Sequence, residues 1–276
     1  MKNILVPTDF SDNCTKAAHI GIKMAKIYNA EIHFLHQMTT PVDWVKLDKL
    51  KEKRYSETLK QIGAAKANLS KLEKIAEHKG LKCRTFLQFD SGQKDILEHS
   101  GYFHHDFIIT GSSGTKGVIR EITGSNVDKI VRKANAPVIV VKDEEVNFPF
   151  KNIVFVSNLE ENITDAFKQV ISIANKCGAR IHLLRINTET DFNNIKLGLD
   201  PIEKMLQNFP ELKNYSMAVY NEPSVETGIN TFLKQHPSDL IAMVTHGKTG
   251  FLSLFSKSIA EGVTNHSTLP VMTIHI

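Results

Sequence analysis

The chain lacks any long apolar run. Nothing in it approaches the roughly 18 to 20 consecutive apolar residues of a membrane-spanning helix, and the first apolar stretch is only Ile4-Leu5-Val6, too short for a secretory signal. A cytoplasmic setting with no membrane partner is therefore expected. Cysteine is scarce as well: Cys14, Cys83 and Cys177 are odd in number and show no CxxC spacing, as reduced intracellular thiols filling a core would. No concentrated charge stands out, because a net charge of +4 is spread along 276 residues, and a nucleic-acid surface needs a basic stripe. The densest basic stretch, residues 46–60, interleaves acidic residues at helical spacing and reads as a solvated face. Spacing supplies no Ser-His-Asp set, Cys-His pair or carboxylate dyad, which argues against an enzyme. Metal ligands are missing too: His33 and His36 fall on opposite faces of a strand, and His104-His105 have no carboxylate or cysteine at ligand spacing, so no metal site is expected.

What the chain does contain is an internal repeat. Lys2-Asn3-Ile4-Leu5-Val6 returns as Lys151-Asn152-Ile153-Val154-Phe155, and Ala30-Glu31-Ile32-His33 returns as Ala179-Arg180-Ile181-His182, both 149 positions later. Asp106 and Pro137 return as Asp239 and Pro270, only 133 positions later, so the second copy is 16 residues shorter between its second and third strands. A period this long is one domain, not a solenoid unit. With 41% hydrophobic residues the chain can fill two cores. The expected domains are residues 1–143 and 150–276, joined by a short polar linker.

Within the first copy, near-continuous apolar strands at residues 3–6, 32–36, 84–89, 107–110 and 137–141 alternate with helical periodicity. Ser11 is a candidate N-cap and Asn29 a candidate stop for the first helix. Leu47, Leu50, Leu59, Ile62, Leu69, Leu72 and Ile75 suggest one long amphipathic segment before Gly80. Further helices are expected from near Ser91 and over residues 125–134. This alternation predicts an α/β fold: two tandem doubly wound, Rossmann-like domains, each with a five-stranded parallel sheet. Ligands of such sheets sit at the carboxyl ends of the strands. Asp9 after strand one and Gly111 after strand four then share a rim.

Residues 111–125, GSSGTKGVIREITGS, follow the fourth strand with a Gly-x2-Gly-x9-Gly-Ser spacing. Glycines let backbone N–H groups approach an anion, and a helix start adds its positive end. The second copy departs from this pattern: Asn158 stands for Asp9, Val244 for Gly111 and Lys257 for Gly124, with Gly247 and Ser258 retained. Gly247-Lys248-Thr249 is not a Walker A loop, because Ala242 occupies the place of its first glycine.

Together, Pro7-Thr8-Asp9-Phe10-Ser11, the glycine motif, and Asn135-Ala136-Pro137-Val138-Ile139-Val140-Val141 resemble the universal stress protein family, as two tandem domains spanning the chain. The resemblance implies adenine nucleotide binding, with ATP, with or without Mg2+, as the cofactor. By resemblance Asp9 contacts the nucleoside end, while Gly111, Gly114, Gly124 and Ser125 hold ribose and phosphates. Thr8, Gln37, Thr110 and Asn126 line the same pocket, although the adenine neighbour is often apolar and Gln37 is not. An ATP-binding stress-response regulator is the expected function; a slow ATP-hydrolysing enzyme and a nucleotide-free scaffold are the alternatives. ATP, AMP and cyclic nucleotide are not distinguished, and the protein partner is unknown. The apolar fifth strand exposes unpaired backbone, so residues 138–141 and 271–274 are expected to pair within the chain as a pseudo-dimer, leaving a homodimer open.

Overall fold

The computed structural model describes residues 1–90, 96–112, 126–142, 146–157, 163–188, 198–245 and 269–276. The chain divides into two compact units, Met1–Val141 and Lys142–Ile276. The expected α/β architecture is present in each.

In the first unit the order is β1 (Asn3–Pro7), α1 (Asp12–Tyr28), β2 (Glu31–Thr39), α2 (Lys49–Glu52), α3 (Ser56–His78), β3 (Cys83–Asp90), α4 (Ile96–Tyr102), β4 (Phe107–Gly111), α5 (Asn126–Lys133) and β5 (Val138–Val141). Its strands lie in the order β3-β2-β1-β4-β5, all parallel. The second unit runs β6 (Asn152–Val156), α6 (Thr164–Cys177), β7 (Arg180–Asn187), α7 (Asp200–Leu206), β8 (Tyr215–Asn221), α8 (Val225–Gln235), β9 (Leu240–Thr245) and β10 (Val271–His275). Its strand order, β10-β9-β6-β7-β8, is the same topology and is again parallel.

A parallel strand is covered on both faces, so its residues are apolar without alternation. Ile4, Leu5 and Val6 of β1, Ile108 and Ile109 of β4, and Ile153 and Val154 of β6 accordingly have negligible exposure. Helix α1 follows from its ends and its spacing. The Ser11 hydroxyl accepts from the Cys14 N–H at its start, Asp12 and Lys26 complement its dipole, and Asn29 closes it at φ 52°, ψ 45°. Between them Ala17, Ala18, Gly21, Met24 and Ala25 form the buried stripe. In the second unit the fully buried ring of Phe167 on α6 lies 5.1 Å from those of Phe155 and Phe209; each such side chain contributes about 1.5–3 kcal/mol by leaving water.

The repeat is built with one device. Asp106 Oδ2 accepts from the backbone N–H groups of Lys2 (2.6 Å) and Asn3 (2.9 Å), and Asp239 Oδ2 accepts likewise from Lys151 (2.7 Å) and Asn152 (2.8 Å). The carboxylate ahead of the fourth strand of each unit thus holds the start of its first.

The long amphipathic segment expected after β2 is broken in two. Trp44 packs against Tyr55 (6.0 Å) and Phe89 (6.2 Å), forming a satellite core with Met38, Ile62 and Ala65 that interrupts the helix at residues 53–55. Of its apolar residues Ile62 and Leu69 are buried, whereas Leu50 is 78% exposed, so the single apolar face read from spacing is not one buried face. The difference in length between the copies falls where the offsets put it, at residues 40–82 against 188–214.

Candidate functional site

In the first unit β1 lies between β2 and β4, so the chain leaves β1 at the point where the winding of the sheet reverses. In sheets wound in this way ligands bind at the carboxyl ends of the strands beside such a reversal. Thr8 and Asp9 follow β1 on one side of it, and Gly111 ends β4 on the other. Gln37 lies near the end of β2, in register with Gln88 of β3.

The turn after β1 is held by its own polar groups. The Thr8 N–H continues the ladder to the Leu35 carbonyl (2.9 Å), and the Phe10 N–H donates to Thr8 Oγ1 (3.0 Å). The Ser11 N–H donates to Asp9 Oδ1 (2.9 Å). His36 Nδ1 donates to the Thr8 carbonyl (2.7 Å), and its ring lies 4.5 Å from that of Phe10, whose φ of 65° is left-handed. Burial pushes the Asp9 carboxyl up, but hydrogen bonds from the Ser11 hydroxyl and N–H and from Cys14 outweigh it and hold Asp9 below the ordinary carboxylate value. Asp9 is therefore an ionised acceptor at neutral pH, and the Ser11 N–H occupies only part of its capacity.

Gly111 answers a demand from within the fold. A Cβ there would stand 2.5 Å from the Asn13 carbonyl carbon and the Cys14 nitrogen, and 2.8 Å from the Asn13 carbonyl oxygen. The first turn of α1 thus packs directly on the backbone at the end of β4. Asn13, buried, donates through Nδ2 to the Ser112 carbonyl and Oγ, both at 3.2 Å, and the Ser112 N–H reaches the Val141 carbonyl (2.7 Å). Thr110 is buried inside β4, its hydroxyl directed at the Gly111 carbonyl (3.3 Å).

Of the sequence candidates, Thr8 and Asp9 follow β1 and Thr110 and Gly111 end the neighbouring β4, all at the carboxyl ends of the strands, with Gln37 on the adjoining β2. Gly114, Gly124 and Ser125 lie outside the described residues, as does the expected helix start near Ser91; Asn126 is the first residue of α5. Asn13 and Ser112 were not anticipated. Their signal was an amide on the otherwise apolar side of α1, which only the position of β4 explains. Cys14, read as core filler, is buried beside Asp9, and burial raises its thiol pKa.

At the corresponding rim of the second unit Val244, the penultimate residue of β9, stands in place of Gly111, and buried Arg185 stands in place of His36. Arg185 Nε donates to Asn187 Oδ1 (3.0 Å), and Asn187 Nδ2 to Asn221 Oδ1 (3.0 Å). Asn158, Gly247, Lys257 and Ser258 lie outside the described residues. The described residues also bring His33, His99 and His105 together at the opposite end of the first sheet, a cluster that spacing did not reveal. No helix among the described residues is long and apolar enough to cross a membrane.

Comparison with known proteins agrees with this architecture. The model of the universal stress protein family matches the chain twice, over residues 1–142 and 149–275. A universal stress protein of Methanocaldococcus jannaschii is 32% identical over 142 residues, covering 51% of this chain and 82% of that protein. Among solved structures, a universal stress protein from Archaeoglobus fulgidus superposes with a TM-score of 0.74 at 18% identity, covering 99% of this chain and 98% of the other. A Pseudomonas aeruginosa protein of unknown function shares the fold with a TM-score of 0.66 at 14% identity, covering 100% and 92%. Carrying the fold in both units and the family pattern in both halves, the chain belongs to the universal stress protein family, as a tandem two-domain member.

Proposed function

We propose that the first unit binds one adenine nucleotide, ATP, and that the protein acts as a nucleotide-responsive regulator in a stress response and not as an enzyme. The observation that carries this reading is the pairing of an ionised Asp9 at the exit of β1 with the close-packed Gly111-Ser112 exit of β4 across the switch point. An ionised carboxylate accepts hydrogen bonds from ribose hydroxyls or an amine and repels phosphate. The nucleoside end therefore belongs at Asp9, and the phosphates belong further along the glycine motif, beyond Ser112. Gly111 is filled on its Cβ side by the α1 backbone, so the phosphate cradle falls to Gly114, Gly124 and Ser125 and the start of α5, and any Mg2+ accompanies the phosphates there. Thr8, held by Leu35, Phe10 and His36, shapes the floor, and Gln37, Thr110 and Asn126 border the pocket.

The second unit, with Val244 and the Arg185-Asn187-Asn221 chain at its rim, is proposed not to bind ATP in this manner. Calorimetric titration of the full chain tests both statements. One ATP per chain is expected, with affinity falling at least about tenfold in Asp9→Asn, and further in Gly124→Lys, which imports the residue of the second copy and adds bulk to the glycine motif. A stoichiometry of two, or tight binding that survives both substitutions, contradicts the proposal. Mass analysis of the nucleotide recovered after incubation separates the readings: intact ATP supports a regulator, ADP an enzyme, and an empty protein a scaffold.

A further inference from the structure

We propose that His33, His99 and His105 form a binding site for a single divalent cation of the zinc type, separate from the nucleotide crevice. His33 is the third residue of β2, His99 lies on α4, and His105 lies two residues before the start of β4, so the cluster sits at the amino ends of the strands. At about 3.3 Å per strand residue, His33 is roughly 13 Å along β2 from Gln37 and the nucleotide rim. One ring nitrogen from each histidine lies within 4.8 Å of the other two. Two nitrogens on one zinc at about 2.0–2.1 Å are at most about 4.2 Å apart, so small ring rotations complete the triad.

The hydrogen bonds around the cluster aim lone pairs inward. Glu31 Oε1 faces His33 Nε2 at 3.2 Å, and a carboxylate only accepts, so Nε2 carries the proton and Nδ1 the lone pair. The Ser100 carbonyl faces His105 Nδ1 at 3.3 Å, so that nitrogen donates and Nε2 is left with a lone pair. These two lone pairs then meet, His33 Nδ1 against His105 Nε2, at 2.8 Å. The other tautomer of His105 moves the conflict to Ser100, where a bare nitrogen would face a carbonyl oxygen. His99 Nε2 is buried with no hydrogen-bond partner. Three imidazoles at this spacing suit zinc, copper or nickel, and a carboxylate on the far nitrogen of a ligating ring, as Glu31 is here, orients and strengthens it. Arg84 Nε, 2.6 Å from Glu31 Oε1, balances that carboxylate. The rings of Phe86 and Phe103 wall the site, 4.5 and 4.7 Å from that of His99.

The second unit is an internal control. His182 repeats His33, but the places of His99 and His105 hold Phe232 and Ser238. There His182 has ordinary partners, Ser216 Oγ at 2.7 Å and Asn152 Oδ1 at 3.3 Å.

The test uses the untagged full chain, stripped with chelator and loaded with zinc sulfate. One zinc per chain is expected to survive gel filtration, and X-ray absorption at the zinc edge is expected to read three imidazole nitrogens. His99→Phe and His105→Ser, which import the residues of the second unit, are expected to weaken binding by about a hundredfold or more. Glu31→Gln should weaken it by about 10–100-fold through its ligand, and His78→Ala, at the exposed end of α3, should change nothing. No retained zinc, zinc that survives the first two substitutions, or an edge spectrum without imidazole overturns the site. The edge spectrum of the unsubstituted chain decides even where a variant does not fold.

Discussion

Gly111 stands so close to Asn13 that a Cβ on it would lie 2.5 Å from the Asn13 carbonyl carbon. Since the obstacle is backbone, α1 or β4 has to move for any side chain to fit. Gly111→Ala is expected to destabilise the protein by about 1–3 kcal/mol, the usual cost of overpacking, measured by chemical denaturation. Stability unchanged within error would mean the first turn of α1 moves freely, and would remove the structural reason for this glycine.

The two carboxylate clamps predict matched behaviour in the two units. Asp106→Ala and Asp239→Ala each remove two charge-assisted hydrogen bonds to a strand start, and because the sites border solvent each should cost about 1 kcal/mol. Hydrogen exchange should quicken at Asn3 in the first variant and at Asn152 in the second. Exchange that quickens in neither would show the clamps to be incidental.

The pKa of Asp9 also predicts a pH signature. Its carboxyl is lowered on folding, so the ionised form contributes stability that is fully present above the unfolded value, near 3.8, and is lost as pH falls through the lower folded value. The stability gap between the native chain and Asp9→Asn should be constant above about pH 5 and close as the solution becomes more acidic than 3.8. A gap that widens in acid would reverse the sign and place Asp9 in an environment that favours its neutral form.

Cys83 is half-buried, and burial together with nearby Glu73, Glu77 and Glu31 pushes its thiol up to about 12 from 9.0. Only the thiolate is alkylated, so at pH 8 its reaction with iodoacetamide should run on the order of a thousandfold slower in the folded chain than in denaturant, given tenfold per pKa unit. Peptide mapping after timed quenching reads this directly. Comparable rates in the two states would mean the thiol is open and ordinary.

Much was legible because it is written in local pattern. The strands of the first unit are short apolar runs, and both ends of α1 are marked by residues whose chemistry is local, Ser11 accepting from a neighbouring N–H and Asn29 adopting the left-handed turn. The duplication was legible through constant offsets, and the parallel, doubly wound topology through the alternation of strand and helix. From that topology alone Asp9 and Gly111 had to share a rim. The break between α2 and α3 was not legible, since it depends on where Trp44 and Phe89 meet. Nor was the closeness of Gly111 to Asn13, residues about a hundred positions apart that touch only because α1 packs on β4.

The histidines show the same division most sharply. Along the chain His33 is 66 positions from His99 and 72 from His105, and no spacing rule joins a strand, a helix and a loop so far apart. Periodicity along the chain was enough to decide which residues face inward and how many domains form, because those follow from neighbours in sequence. Which inward-facing polar groups meet, and whether their protons and lone pairs agree when they do, was decided only when β2, α4 and the approach to β4 came together around one buried point, where water no longer satisfies each nitrogen.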